Sequence, residues 1–157
     1  MVDRNPGPFA LLPIGWVRSP YQRRFGTPHQ ATQTRPEPEV EAVLELDPQR
    51  ITEAALSDLG GIERIWVLSW LDRSGTWSPL VRPPRGARVK RGVFATRSPD
   101  RPNPIGLSAV KLVAVEGLNL RVLGVDLLDG TPILDVKPYV VYADAFPESR
   151  GGWIDEL

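Results

Sequence analysis

Cysteine is absent from the 157 residues, and with it go disulfide scaffolding, thiolate nucleophiles and Cys-ligated zinc. Histidine occurs once, at His29, which removes a histidine-ligated metal centre and leaves only carboxylate sites for hard cations. No carboxylate cluster has the spacing for such a site. No apolar run approaches the length of a membrane span, and the start Met1-Val-Asp-Arg-Asn-Pro-Gly7 lacks a basic-then-apolar signal pattern. Gly-x-Gly-x-x-Gly is missing too, so a Rossmann cofactor site has no support. These absences lead us to expect a cytoplasmic protein of one domain, residues 1–157, with no metal and no membrane partner.

Net charge is also lacking: 19 basic side chains balance 19 acidic ones. Bulk electrostatic coating of a nucleic acid is thereby disfavoured. The charge is nevertheless segregated. Arg82, Arg85, Arg88, Lys90, Arg91, Arg97 and Arg101 stand against Asp100 alone, whereas the stretch from Glu37 to Glu63 is acidic but for Arg50. Either a basic face meets a polyanion or both faces are simply solvated.

What the chain has in quantity is proline, 17 residues, between short β-rich runs. Phe9–Val17 reads as a strand begun or interrupted at Pro13, and a long polar loop follows to about Glu39. Val40–Leu46 alternates Glu41, Val43 and Glu45 with Ala42, Leu44 and Leu46, the period of a half-buried strand. Thr52–Gly60 is the one convincing helix, short and closed by a glycine pair. Ile62–Leu71 returns to strand character. Leu107–Val115 and Leu118–Leu128 predict a hairpin turning near Glu116-Gly117, and Ile133–Val141 adds a further strand. The pattern predicts a mainly all-β fold: a single antiparallel β-barrel with one short helix and long loops.

Two segments carry candidate chemistry. Gly92-Val-Phe-Ala-Thr-Arg-Ser-Pro-Asp-Arg-Pro-Asn-Pro-Ile-Gly-Leu-Ser108 reads as an apolar strand entering a cationic loop. Pro99, Pro102 and Pro104 restrict Ser98, Arg101 and Asn103 in advance, and Gly106 permits a close approach at the exit. The loop is either pre-organised for an anion or base, or stiff because it satisfies its own carbonyls. Asp126-Leu-Leu-Asp-Gly-Thr-Pro-Ile-Leu-Asp-Val-Lys-Pro-Tyr139 sets charges among apolar residues, where they need partners. Asp135 and Lys137, two apart on a strand, share one face as a structural ion pair or as a tuned site pair. Arg18, Ser19, Tyr21, Arg23, Arg24, Pro28, His29 and Gln30 mix cationic and aromatic groups as a nucleic-acid surface does.

In their order, Ile14-Gly-Trp-Val-Arg-Ser-Pro-Tyr21, Val81-Arg-Pro-Pro-Arg85, Gly92–Gly106 and Asp126–Tyr139 resemble the YaeB/TsaA (TrmO-like) family of S-adenosylmethionine-dependent tRNA methyltransferases. The resemblance spans roughly Ile14 to Tyr142. It implies a non-Rossmann β-barrel that forms a homodimer, binds S-adenosylmethionine and methylates N6 of threonylcarbamoyladenosine beside the anticodon. Cofactor contacts would fall on Pro28, His29, Gln30, Asp72, Arg73, Arg97, Leu107, Asp126, Leu127, Asp129 and Gly130. Arg23, Arg24, Arg82, Arg85, Arg101 and Asn103 would touch tRNA, and Asp135, Lys137 and Tyr139 are the candidates for proton transfer or charge stabilisation. Larger members of that family continue into a C-terminal extension, which is not found before Leu157. A methyltransferase of a small molecule or another nucleotide, and a non-enzymatic adenine-nucleotide or RNA-binding barrel, are the alternatives.

Overall fold

A computed structural model of the chain describes residues 7–23, 40–85 and 89–157. The strands are β1 (Gly15–Arg18), β2 (Glu41–Leu46), β3 (Arg64–Trp70), β4 (Leu80–Val81), β5 (Arg91–Gly92), β6 (Ile105–Glu116), β7 (Asn119–Leu123) and β8 (Pro132–Pro138). Six of them close an antiparallel barrel in the order β1-β2-β7-β6-β3-β8, while β4 and β5 pair as a small ribbon. Closure removes the unpaired edges that an open sheet of short strands would expose.

Alternation explains the core. Ala42, Leu44 and Leu46 of β2 point inward, as do Ile65 and Val67 of β3, Val110 and Leu112 of β6, and Leu120 and Val122 of β7. Leu44, Ile65, Leu120 and Ile133 are the largest fully buried side chains, and truncating any one to Ala would cost about 2–5 kcal/mol. On the outside, Glu41 and Glu116 flank Arg121, and Arg18 pairs with Glu45. The acidic stretch thus belongs in part to a laced surface across β1, β2 and β7.

Several boundaries differ from the sequence expectation. Thr52–Gly60 does not form an α-helix; it is two 3-10 turns, Glu53–Leu56 and Leu59–Gly61, separated by Asp58 in the left-handed region at φ 66°. Nine residues are too few to sustain a helix alone, and Ile51, Leu56, Leu59 and Ile62 instead cap the core. The only α-helix among the described residues is one turn, α1 (Val141–Asp144). The apolar start of the cationic loop is a 3-10 turn, Val93–Ala95, with Val93 buried, rather than a strand. β7 ends at Leu123, and Val125 and Leu127 are buried outside the ladder. β1 begins only at Gly15, leaving Phe9, Leu11 and Leu12 exposed.

One end of the barrel, here the rim, gathers the ends of β1, β7 and β3 and the starts of β2, β6 and β8. The buried polar residues among those described, Ser69, Ser108 and Thr131, all lie toward it. Ser69 pairs with Gly106 across β3 and β6. A Cβ at Gly106 would collide with Ser69 Oγ and press on Leu71 Cδ2 at 3.1 Å. Ser69 Oγ is itself buried with no hydrogen-bond partner among the described residues. Gly106→Ala is therefore expected to destabilise the fold by about 1–3 kcal/mol, as overpacking does. Ser69→Ala, which removes an unsatisfied hydroxyl, should be neutral or stabilising and should rescue Gly106→Ala. Urea unfolding of the two single variants and the double variant checks both outcomes.

Candidate functional site at the barrel rim

The site is assembled by backbone bonds between the end of β1 and the segment before β8. Val17 donates its N–H to the Thr131 carbonyl at 3.0 Å, Gly130 donates to Val17 at 2.7 Å, and Asp129 donates to Tyr21 at 2.8 Å. Side chains reinforce the junction: Ser19 Oγ donates to the Leu127 carbonyl at 2.8 Å, and the Ser19 N–H donates to Asp129 Oδ1 at 3.1 Å. From the turn after β3, Arg73 Nη2 donates to the Asp129 carbonyl at 2.8 Å. Gly130 adopts φ +76° beside that guanidinium, a conformation that a side chain would strain. Below, Ser108 Oγ donates to Asp126 Oδ1 at 2.6 Å.

The cationic loop leans against the same turn. Ser74 Oγ lies 2.6 Å from the Leu71 carbonyl and 3.0 Å from the Pro99 carbonyl, and Gly75 donates its N–H to Asp100 Oδ1 at 2.7 Å. The Leu71 N–H reaches the Pro104 carbonyl at 2.7 Å. Arg101 Nη1 turns back to the Thr96 and Ser98 carbonyls at 3.3 and 3.5 Å, with its guanidinium 6.0 Å from the Phe94 ring. That arrangement is the self-satisfied loop. Arg97 differs: it is exposed and makes no hydrogen bond or ion pair among the described residues.

The structure brings together Asp72, Arg73, Asp126, Leu127, Asp129 and Gly130 at the rim, with the Arg97 loop beside them. Leu127 is buried and its carbonyl is taken by Ser19. Leu107 stands on the outer wall, 56% exposed, opposite Leu68. Arg23, Arg82, Arg85 and Asn103 are exposed. Arg24, Pro28, His29 and Gln30 lie outside the described residues.

Asp135, Lys137 and Tyr139 are not brought to the rim. β8 carries them away from Gly130 along the outer wall, where Lys137 Nζ pairs with Asp135 Oδ2 at 2.8 Å and Tyr139 packs on Trp66 with ring centroids 5.4 Å apart. The hydrogen bond and charge of Asp135 raise the Lys137 pKa. The ammonium form is thereby favoured, the opposite of what a general base needs. A bulge between Leu68 and Ser69 in the β3–β8 register restores the alternation, so Asp135 faces outward while Ile133 faces the core.

Sequence reasoning missed the parts played by four serines. Ser69 and Ser108 fall on inward positions among Ile65, Val67 and Val110, a signal that period-two counting could have flagged. Ser19 and Ser74 gave no such signal, because their partners are distant carbonyls. Ser19→Ala leaves the Leu127 carbonyl without its donor, and we expect a loss of about 1 kcal/mol in urea unfolding, with faster proteolysis between Asp126 and Thr131 than in the parent.

Residues 16–145 match the family model described as the tRNA-methyltransferase O N-terminal domain. A probable S-adenosyl-L-methionine-binding protein of Archaeoglobus fulgidus is 41% identical over 146 residues, covering 93% of this chain and 38% of the relative. A tRNA (adenine(37)-N6)-methyltransferase of Escherichia coli is 36% identical over 152 residues, covering 92% and 63%. The crystal structure of TrmO from Pseudomonas aeruginosa shares the fold with a TM-score of 0.75 at 37% identity, covering 93% of this chain and 62% of that one. The chain therefore spans less than two thirds of the length of each of these relatives.

Proposed function

We propose that this chain, which belongs to the tRNA-methyltransferase O N-terminal domain family, binds S-adenosylmethionine at the barrel rim and methylates N6 of threonylcarbamoyladenosine beside the tRNA anticodon. The observation that carries this reading is the presence of uncommitted charges of both signs around one fastened rim. Asp72 is exposed with no side-chain partner among the described residues, Arg97 likewise, and Asp129 uses one carboxylate oxygen on Ser19. That donor set suits a zwitterionic amino-acid tail and an adjoining cation. When bound, S-adenosylmethionine supplies a methyl group activated by its sulfonium charge. Asp72 and Asp129 would favour the cationic groups, Arg97 the carboxylate, and the Leu127–Gly130 segment would receive the adenine. Leu107 gives an apolar edge where the rim meets the outer wall.

The contribution of the chain is chiefly positioning, because the rim segments are tied before any ligand arrives. Arg23, Arg82, Arg85 and Asn103 are exposed and would meet anticodon-stem phosphates, with Arg101 stiffening the loop. Asp135, Lys137 and Tyr139 reach a reacting base only where a second copy sets its rim against this wall. The adjoining rows Trp70–Ile105 and Leu68–Leu107 are apolar, and Ile105 is 41% exposed, so we read a homodimer through this face. No helix among the described residues is long and apolar enough to cross a membrane, and a tRNA substrate would place the protein in the cytoplasm.

Calorimetric titration with S-adenosylmethionine should give saturable binding, at least tenfold weaker in Arg97→Ala. Labelled methyl should pass to tRNA bearing threonylcarbamoyladenosine and not to tRNA lacking it; binding without transfer would favour the non-enzymatic barrel. Sedimentation velocity should show a dimer that Ile105→Lys converts to monomer, and a monomeric parent would remove the dimer reading.

A further inference from the structure

We infer that Trp153, beyond the residues that match the family model, is a positioning residue that sets the entry to the cationic loop and through it the place of Arg97. Trp153 sits in a 3-10 turn, Gly152–Glu156. Its indole makes two different contacts on either side of the Val93–Ala95 turn. Nε1 donates to the Ala95 carbonyl at 3.0 Å, and the Arg91 guanidinium lies 5.1 Å from the ring centroid. Arg91 belongs to the β4–β5 ribbon and Val93 is buried, so this base is already fixed from within. The indole closes it from without.

Beyond Ala95 the loop is tied at three further places. Thr96 and Ser98 hold Arg101, Pro99 and Asp100 meet the turn after β3, and Pro104 meets Leu71. Arg97 falls between Thr96 and Ser98, the first of these ties, and Thr96 Oγ1 also donates to the Val93 carbonyl at 2.8 Å. Its backbone follows Thr96, whose N–H donates to Val93 at 3.2 Å and whose Oγ1 accepts from the Ser98 N–H at 3.3 Å. Any rotation about Ala95 is therefore transmitted to Arg97, two residues on. A surface arginine that selects a carboxylate by geometry needs such a fixed base, because its own side chain supplies none.

The part of this inference that concerns affinity rests on the proposed cofactor reading; the fastening of the loop does not. Trp153→Phe keeps a ring for Arg91 and removes the N–H. Hydrogen exchange of the whole chain should then speed up about fivefold at the Thr96 and Ser98 amides, the value of one hydrogen bond. Affinity for S-adenosylmethionine should fall by a similar factor in the otherwise unchanged chain, and by nothing further in an Arg97→Ala background, as a coupled pair requires. Unchanged exchange would overturn the fastening. Faster exchange with unchanged affinity, or an equal loss in both backgrounds, would overturn the action through Arg97. A parent chain that binds no S-adenosylmethionine would remove the cofactor reading, and exchange alone would then decide whether Trp153 fixes the loop.

Discussion

The seam between β1 and β8 is the shortest in the barrel, with only Gly15 against Ile133 and Trp16 against Pro132 in register. It is lengthened at both ends: Ile14 donates to Ile133 at 2.8 Å below, and Val17 donates to Thr131 and accepts from Gly130 above. Because a closed barrel needs every pair, this seam decides whether six short strands form one object or an open sheet with two exposed edges. The same bonds fix Asp129 and Gly130. Closing the fold and shaping the rim are one event.

Beside that seam and in the cationic loop, irregular backbone is held by side chains that donate to carbonyls. Ser19 serves Leu127, Arg73 serves Asp129, Arg101 serves Thr96, and Trp153 serves Ala95. Each bond contributes on the order of 1 kcal/mol, too little to drive folding but enough to select one loop conformation among many. A ligand that meets such a rim loses little affinity to ordering it. The exposed Asp72 and Arg97, which have no side-chain partner among the described residues, stand on two of the fastened segments.

The alternation of Glu41 to Leu46 and the hairpin at Glu116-Gly117 were legible because each follows from local spacing. The barrel itself could be inferred from strands without intervening helices. Thr52–Gly60 departs from the sequence expectation because its Ala and Leu content suits a helix while Asp58 and the core beneath it dictate two turns. Asp135 and Lys137 were legible as a same-face pair, but no periodicity reveals that their face is the outer wall. The motifs draw attention to Asp126–Gly130 and to Arg97 as separate stretches; Ser19 and Arg73 tie the first to β1 and to the turn after β3 over 108 and 56 residues, and Ser74 and Gly75 hold the Arg97 loop to that same turn over 25, contacts that no local reading contains.

The most direct test of the rim as the functional centre is a hydrogen-exchange footprint of the whole chain with and without S-adenosylmethionine. Simultaneous protection is expected at residues 18–21, 71–75, 96–98 and 126–131, because these segments share one fastened surface. Protection confined to the outer wall at residues 135–139, or no protection at saturating cofactor, would contradict it.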